Sequence, residues 1–167
     1  LYGVEDLAHA FVRAAHQHPE LRLLILGDGP LAPSIRSIFQ QGGVVDRVYF
    51  PGQVASQDLP GYYQAADLYI STSHSDGTSI SLLEALACGT PVLLTDIPGN
   101  QEWITNPGEA GWLFRDGDVD ALVKGIEFAL DQRDQLPGMG EKARQLAESR
   151  ADWGKNFPKL FEAYKLH

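Results

Sequence analysis

The chain is poor in sulfur and in positive charge: 167 residues hold a single cysteine, one methionine and 13 lysines and arginines. One thiol cannot close an internal disulfide, so stability must come from a packed core, and a reducing, cytoplasmic setting suits the chain. No apolar run approaches the roughly 20 residues that a membrane-crossing helix needs, so membrane contact is not encoded in this segment. No secretory leader is visible either; LYGVEDLAHAF reads directly as structure. The cations are outnumbered by 22 Asp and Glu, for a formal net charge of −9. That balance argues against nucleic acid as a partner, because no basic patch is available to neutralise phosphates. Any phosphate site must instead rely on backbone N–H groups and helix dipoles, or on cations from outside the segment.

What is present describes an ordinary globular domain. The hydrophobic share is 44% and the charged share 21%, typical of a soluble fold. No repeat, low-complexity tract or linker interrupts the chain, so one domain is expected over residues 1–167. Helix-like and strand-like patterns alternate. Val4, Leu7, Ala8, Phe11, Val12 and Ala15 recur at helical spacing, and Pro19 closes that helix. Strands are expected over 21–26, 47–50, 67–71, 92–94 and 112–114. Between them, helices are expected over 31–41 and from Ser79 to Gly89, with a short one capped by Ser56 and running to Tyr63. Two more follow over 119–132 and 138–149. A terminal amphipathic segment carries Trp153, Phe157, Phe161 and Tyr164. Strands joined by helical crossovers imply an α/β fold, a doubly wound, mainly parallel sheet with helices on both faces. The pattern opens in a helix, so a first strand is expected upstream.

In such sheets ligands bind beyond the carboxyl ends of the strands. The loops at Gly27, Val54, Asp76 and Asp96 all follow strands and should crowd one edge. The most informative of them lies in SDGTSISLLEALACGTPVL, where Asp76 and Glu84 are separated by seven residues across a strand–loop–helix junction. The helix start offers unpaired N–H groups and the positive end of a dipole to an anion. Gly77 lets backbone approach a ligand closely or take positive φ. Thr78 and Ser79 are N-cap candidates. On a helical wheel Glu84 falls between Ile80 and Cys88, beside Leu83 and Ala87, and a carboxylate in an apolar stripe is costly unless hydrogen-bonded. It accepts either from a vicinal diol such as a ribose or from N–H groups of a neighbouring loop. Asp76 is either a ligand or a solvated turn residue.

Other polar and aromatic residues have simpler readings. Asp116-Gly117-Asp118 reads as a surface turn rather than a cation motif. His74 is a solvated loop residue or touches a ligand hydroxyl. Cys88 is a small buried residue at a helix end. Trp103, Trp112 and Trp153 fill gaps between helices and sheet. Glu102 bonds its neighbouring loop, and Asp96 forms a turn with Pro98 and Gly99.

SDGTSISLLEALACGTPVLLTDIPGNQEWI resembles the donor-binding signature of the family-four, group 1 glycosyltransferases of GT-B fold. LRLLILGDGPL, VYFPGQV, LPGYYQAADLYISTS, NPGEAGWLFRDGDVDALVKGI and ADWGKNFPKLFEAY are similar to successive segments of that family, in the same order. The resemblance implies the C-terminal, nucleotide-sugar-binding domain of a retaining glycosyltransferase. The missing half would be an N-terminal acceptor-binding domain, and no metal or other cofactor is implied. It assigns Glu84 to the ribose hydroxyls and Asp76 to the donor sugar as the catalytic carboxylate. Backbone N–H groups of Gly77, Thr78, Ser79, Ile80 and Ser81 would hold the diphosphate. Gly27 and Val54 would border the ribose and base. The sequence departs from the family pattern twice. Asp76 stands where Glu is usual, and Tyr2 stands where a phosphate-binding Lys is usual before Gly3.

The expected reaction is transfer of a hexose-type sugar from a nucleoside-diphosphate sugar, with the fragment inactive alone. Two other classes remain open: a sugar-nucleotide epimerase on the same scaffold, and a non-catalytic nucleotide-binding domain.

Overall fold

The computed structural model describes residues 3–165. Strands and helices alternate as α1 (Val4–Gln17), β1 (Leu23–Leu26), α2 (Ala32–Gln41), β2 (Val48–Gly52), α3 (Leu59–Ala65), β3 (Tyr69–Ser71) and α4 (Ile80–Ala87). They continue as β4 (Val92–Thr95), α5 (Pro98–Gln101), β5 (Gly111–Phe114), α6 (Val119–Asp131), α7 (Leu136–Arg150) and α8 (Trp153–Lys165). Every ladder is parallel: β1 pairs with β2, and β4 lies between β3 and β5.

β4 shows why helices cover both faces. Its side chains alternate, and all four residues are buried. Val92 and Leu94 enter a cluster with Leu82 and Leu86 of α4 and Ala143 of α7. Leu93 enters the opposite one, with Ala10 and Ala14 of α1 and Leu122 of α6. A strand buried on both sides reads as an unbroken apolar run, and each such leucine contributes about 1.5–3 kcal/mol by leaving water. A third cluster joins α1 to α2 through Phe11 and Phe39, whose rings meet edge-on with centroids 5.9 Å apart.

Among the described residues no ladder joins β1 to β3. The two strand sets are instead bridged from one face by α1, whose Ala8, Phe11 and Ala15 pack with Leu23 and Ile25 while Ala10 and Ala14 pack with Ile70. Both strands are half-buried along their length, unlike β4.

Several boundaries differ from the sequence reading. The short helix before β3 starts after Asp58, not at Ser56, and Asp58 makes no side-chain cap. Pro51 and Gly52 belong to β2 rather than to the following loop. β2 pairs only with β1, and an edge strand tolerates a proline that cannot donate to a ladder. Pro98 and Gly99 open a helical turn, α5, where a plain turn was expected. Trp153 is 70% exposed, so it fills no gap between helix and sheet. Among the described residues no helix is long and apolar enough to cross a membrane.

Candidate functional site at the start of the fourth helix

Parallel pairing puts the loops after β1 and β2 at one end of their sheet and those after β3 and β4 at one end of theirs. The loop after β3 leads into α4, whose N-terminal flank is Ser79 in an extended conformation. Ser79 makes no side-chain cap. Its hydroxyl turns to Ser81 Oγ at 2.8 Å, and Ser81 Oγ also bonds Tyr69 Oη at 2.8 Å. Among the described residues the first-turn N–H groups receive no side-chain acceptor, although such a cap is typically worth about 1 kcal/mol. The helix tip is left open to an acceptor from elsewhere, with roughly half a positive charge focused on it.

Other residues fix the loop from outside it. Trp103, 7% exposed, donates its indole N–H to Thr78 Oγ1 at 3.2 Å. Gly99 lies so close that a Cβ there would stand 2.3 Å from the Gly77 carbonyl oxygen and 2.6 Å from that of Asp76. Buried Asn100 donates through Nδ2 to the Thr95 carbonyl at 2.8 Å, which holds α5 in place. The Gly3 N–H donates to the Thr72 carbonyl at 2.9 Å. His74 Nδ1 bonds Asp116 Oδ1 at 2.6 Å, and its Nε2 lies 3.9 Å from Asp6 Oδ2. His74 is exposed, as its loop position implied, and its ring also links three segments of the chain.

The acidic pair occupies the same neighbourhood. Asp76 and Glu84 are both half-buried. Glu84 Oε2 accepts from the Tyr63 hydroxyl at 3.0 Å. Among the described residues no N–H of a neighbouring loop reaches Glu84, so the loop-capping alternative falls. The expected apolar stripe is also corrected. The buried face of α4 is Leu82, Ala85 and Leu86, because that face packs on α7; Ile80 is 75% exposed and Ala87 is exposed. Glu84 stands at the margin of this face.

Burial raises the pKa of Tyr63, and the Glu84 carboxylate raises it further. Burial likewise raises Tyr69; hydrogen bonds from Ser81 and Ser71 oppose this, and the charges of Asp76 and Glu84 add to it. Both acids therefore act on one hydroxyl beside the helix tip. Cys88 is half-buried rather than buried, and desolvation, then Glu84, pushes its thiol up.

The remaining predicted site residues are distributed as follows. Gly77 and Thr78 are exposed. Nothing lies within 4 Å of a Cβ built on Gly77, and its φ is not positive, so its value is open approach rather than a left-handed turn. Gly27 and Val54 follow β1 and β2; Gly27, at φ 96°, donates its N–H to the Gly52 carbonyl at 2.8 Å. Among the described residues no hydrogen bond ties Gly27 or Val54 to the α4 tip. Tyr2 lies outside the described residues. Asp116 and Asp118 each have a protein partner, Asp116 on His74 and Asp118 as the α6 N-cap accepting from the Ala121 N–H at 2.9 Å. The roles of Tyr63, Tyr69 and Gly99 and the bond from Trp103 to Thr78 escape sequence reasoning. Each acts through a contact made across the fold, and only the tyrosine hydroxyls give any local sign.

The parallel strands and the helices that cover them define a doubly wound α/β domain. The group 1 glycosyl transferase family model matches residues 2–146. The chain belongs to that family. It is 35% identical over 144 residues to an exopolysaccharide phosphotransferase of Streptomyces coelicolor, covering 85% of this chain and 15% of that one. It is 28% identical over 165 residues to a GDP-mannose-dependent alpha-(1-6)-phosphatidylinositol monomannoside mannosyltransferase of Mycobacterium tuberculosis, covering 95% and 43%. The crystal structure of Anabaena HepE in complex with UDP superposes with a TM-score of 0.86 at 23% identity, covering 95% of this chain and 45% of that one. At that identity the likeness shows the fold. The chain spans less than half the length of each of these proteins.

Proposed function

We propose that this chain is the nucleotide-sugar-binding domain of a retaining glycosyltransferase that moves a hexose-type sugar from a nucleoside diphosphate to an acceptor. The observation that carries the reading is the uncapped start of α4 between two half-buried carboxylates. Anions suit a helix N-terminus and hydroxyls suit carboxylates. A sugar nucleotide presents a diphosphate between two hydroxyl-bearing rings, which matches that order. GDP-mannose and UDP, the ligands of two relatives, both carry a nucleoside diphosphate.

In this reading the diphosphate accepts from the N–H groups of Gly77 through Ser81, with Thr78 and Ser79 hydroxyls alongside. Glu84 accepts from the ribose, while Asp76 holds the sugar hydroxyls and helps place the anomeric carbon. As the glycosidic bond breaks, negative charge grows on the diphosphate. N–H groups already aimed there stabilise it without reorganising; in comparable oxyanion sites one donor is worth about 3–4 kcal/mol. No metal or other cofactor has a part in this scheme, and the single cysteine favours a cytoplasmic setting.

Two segments would complete the enzyme. Among the described residues no ladder joins β1 to β3, and one more parallel strand leading into Gly3, whose N–H bonds the Thr72 carbonyl just after β3, would join the two sets. A right-handed strand–α1–β1 crossover would follow. The acceptor-binding half lies beyond that strand.

Calorimetric titration of the full-length protein with UDP, GDP and ADP tests the reading. One or more should bind. Glu84→Ala should weaken nucleotide binding, and Asp76→Ala should reduce turnover more than affinity. Absence of heat with all three nucleotides would favour a non-catalytic scaffold. Equal losses of affinity and turnover in each variant would refute the division of labour between the two acids.

A further inference from the structure

We propose that Tyr63 is a positioning residue for the ribose of the donor: its hydroxyl occupies Glu84 Oε2 and leaves Oε1 aimed at the ribose diol. This rests on the reading of Glu84 as the ribose ligand and extends it to a residue 21 positions away on another helix.

Glu84 stands at the margin of the buried face of α4, half-exposed, where a glutamate side chain has several rotamers open to it. Tyr63 does not share that freedom. It is 8% exposed and packs in the cluster that holds Leu82 and Leu86. Its ring meets Tyr69 with centroids 6.0 Å apart, and its backbone carbonyl accepts from the buried Thr90 hydroxyl at 2.8 Å. The hydroxyl is therefore a fixed post at 3.0 Å from the carboxylate. The raised pKa of Tyr63 keeps that hydroxyl protonated, and so a donor, across the working range.

The arithmetic of acceptors is favourable. A carboxylate offers about four lone-pair positions, so a single donor leaves enough for both hydroxyls of a vicinal diol. A glutamate that must order itself on binding loses rotamer freedom, and one already ordered does not. Removing the post should therefore cost roughly tenfold in affinity, and only for ligands whose ribose uses Glu84.

The test compares UDP, GDP and ADP with their 2′,3′-dideoxy counterparts, titrated into the full-length protein and its Tyr63→Phe variant. The substitution keeps the ring and deletes one hydroxyl. In the unmodified protein the ribonucleotide should bind tighter than its dideoxy form. In Tyr63→Phe the ribonucleotide should weaken about tenfold, the dideoxy form should hardly change, and the ratio should shrink toward one. In a Glu84→Ala background the same substitution should leave the ratio unmoved. A full ratio in Tyr63→Phe, or equal weakening of both ligands, overturns the role of Tyr63 while leaving Glu84 as ribose ligand. A ratio of one in the unmodified protein overturns both.

Discussion

Gly99→Ala is a substitution of one methyl group whose consequence can be worked from distances. The new Cβ would stand 2.3 Å from the Gly77 carbonyl oxygen, 2.6 Å from that of Asp76 and 2.8 Å from the Gly77 carbonyl carbon. All three are backbone atoms, so no side chain can swing aside. Ordinary contact requires a retreat of roughly 1 Å by either α5 or the loop. α5 is held by Asn100, whose amide donates to the Thr95 carbonyl at 2.8 Å inside the core. The loop is exposed at Gly77 and Thr78 and is the part that yields. Overpacking of this kind costs about 1–3 kcal/mol, and for a chain of this size each kcal/mol lowers Tm by about 2–4 °C. The functional loss should be larger, because a displacement near 1 Å of a positioning element costs on the order of a hundredfold in rate. Thermal unfolding and the transfer rate of the full-length protein give both numbers. Unchanged Tm together with an unchanged transfer rate would refute the claim that the α5 start buttresses the loop.

Three further outcomes are expected. Gly140→Ala would place a Cβ 2.2 Å from the Gly89 carbonyl oxygen, whereas nothing lies within 4 Å of one on Gly138. Unfolding free energies from denaturant titration should fall by about 1–3 kcal/mol for the first and hold or rise by about 0.4–1 kcal/mol for the second, and equal shifts would contradict the packing. His74→Ala and Asp116→Asn each break the same exposed contact, so nucleotide affinity should fall by about two- to fivefold in either. The double variant should lose no more than one single variant, and additive losses would show that the two residues act apart. Tyr63 has a folded pKa above its ordinary 10.0, so its contribution to stability is full below pH 10 and is lost as pH rises toward the folded value. Alkaline denaturation should therefore be less steep in Tyr63→Phe, by up to about 1.4 kcal/mol per pH unit, and identical slopes would refute the shift.

The alternation of strand and helix was legible because each element carries its own period. β4 is read within one residue, since a strand buried on both faces is a run of apolar residues with nothing to mistake it for. The start of α4 is read as well, because the residues that shape it are consecutive in sequence. α5 is not legible: Pro98-Gly99-Asn100 has the composition of a turn, and what makes it helical is Asn100 finding the Thr95 carbonyl inside the core. The position of Glu84 on its helix is misread for a related reason. Periodicity places it among apolar neighbours, but α7 covers only the Leu82, Ala85 and Leu86 side. Tyr63 and Trp103 are out of reach altogether, since their partners Glu84 and Thr78 lie 21 and 25 residues away and are brought close only by packing.

Charge sign decides how the parts of the site divide the work. The α4 tip contributes roughly half a positive charge, while the chain as a whole carries −9. In the proposed reading a diphosphate at this tip would gain direction from the N–H groups but little neutralisation from them. The two acids fit the same reasoning. A carboxylate placed against a phosphate repels it, by about 1 kcal/mol at 4 Å even in bulk water and more where water is excluded. Placed against a sugar hydroxyl, the same group accepts a charge-assisted hydrogen bond. In the proposed reading Asp76 and Glu84 would favour a ligand whose charge is central and whose hydroxyls lie to either side, and would disfavour a bare polyphosphate. Selectivity for the sugar nucleotide over its inorganic part would then be a property of the acids, and geometry for transfer a property of the helix tip between them.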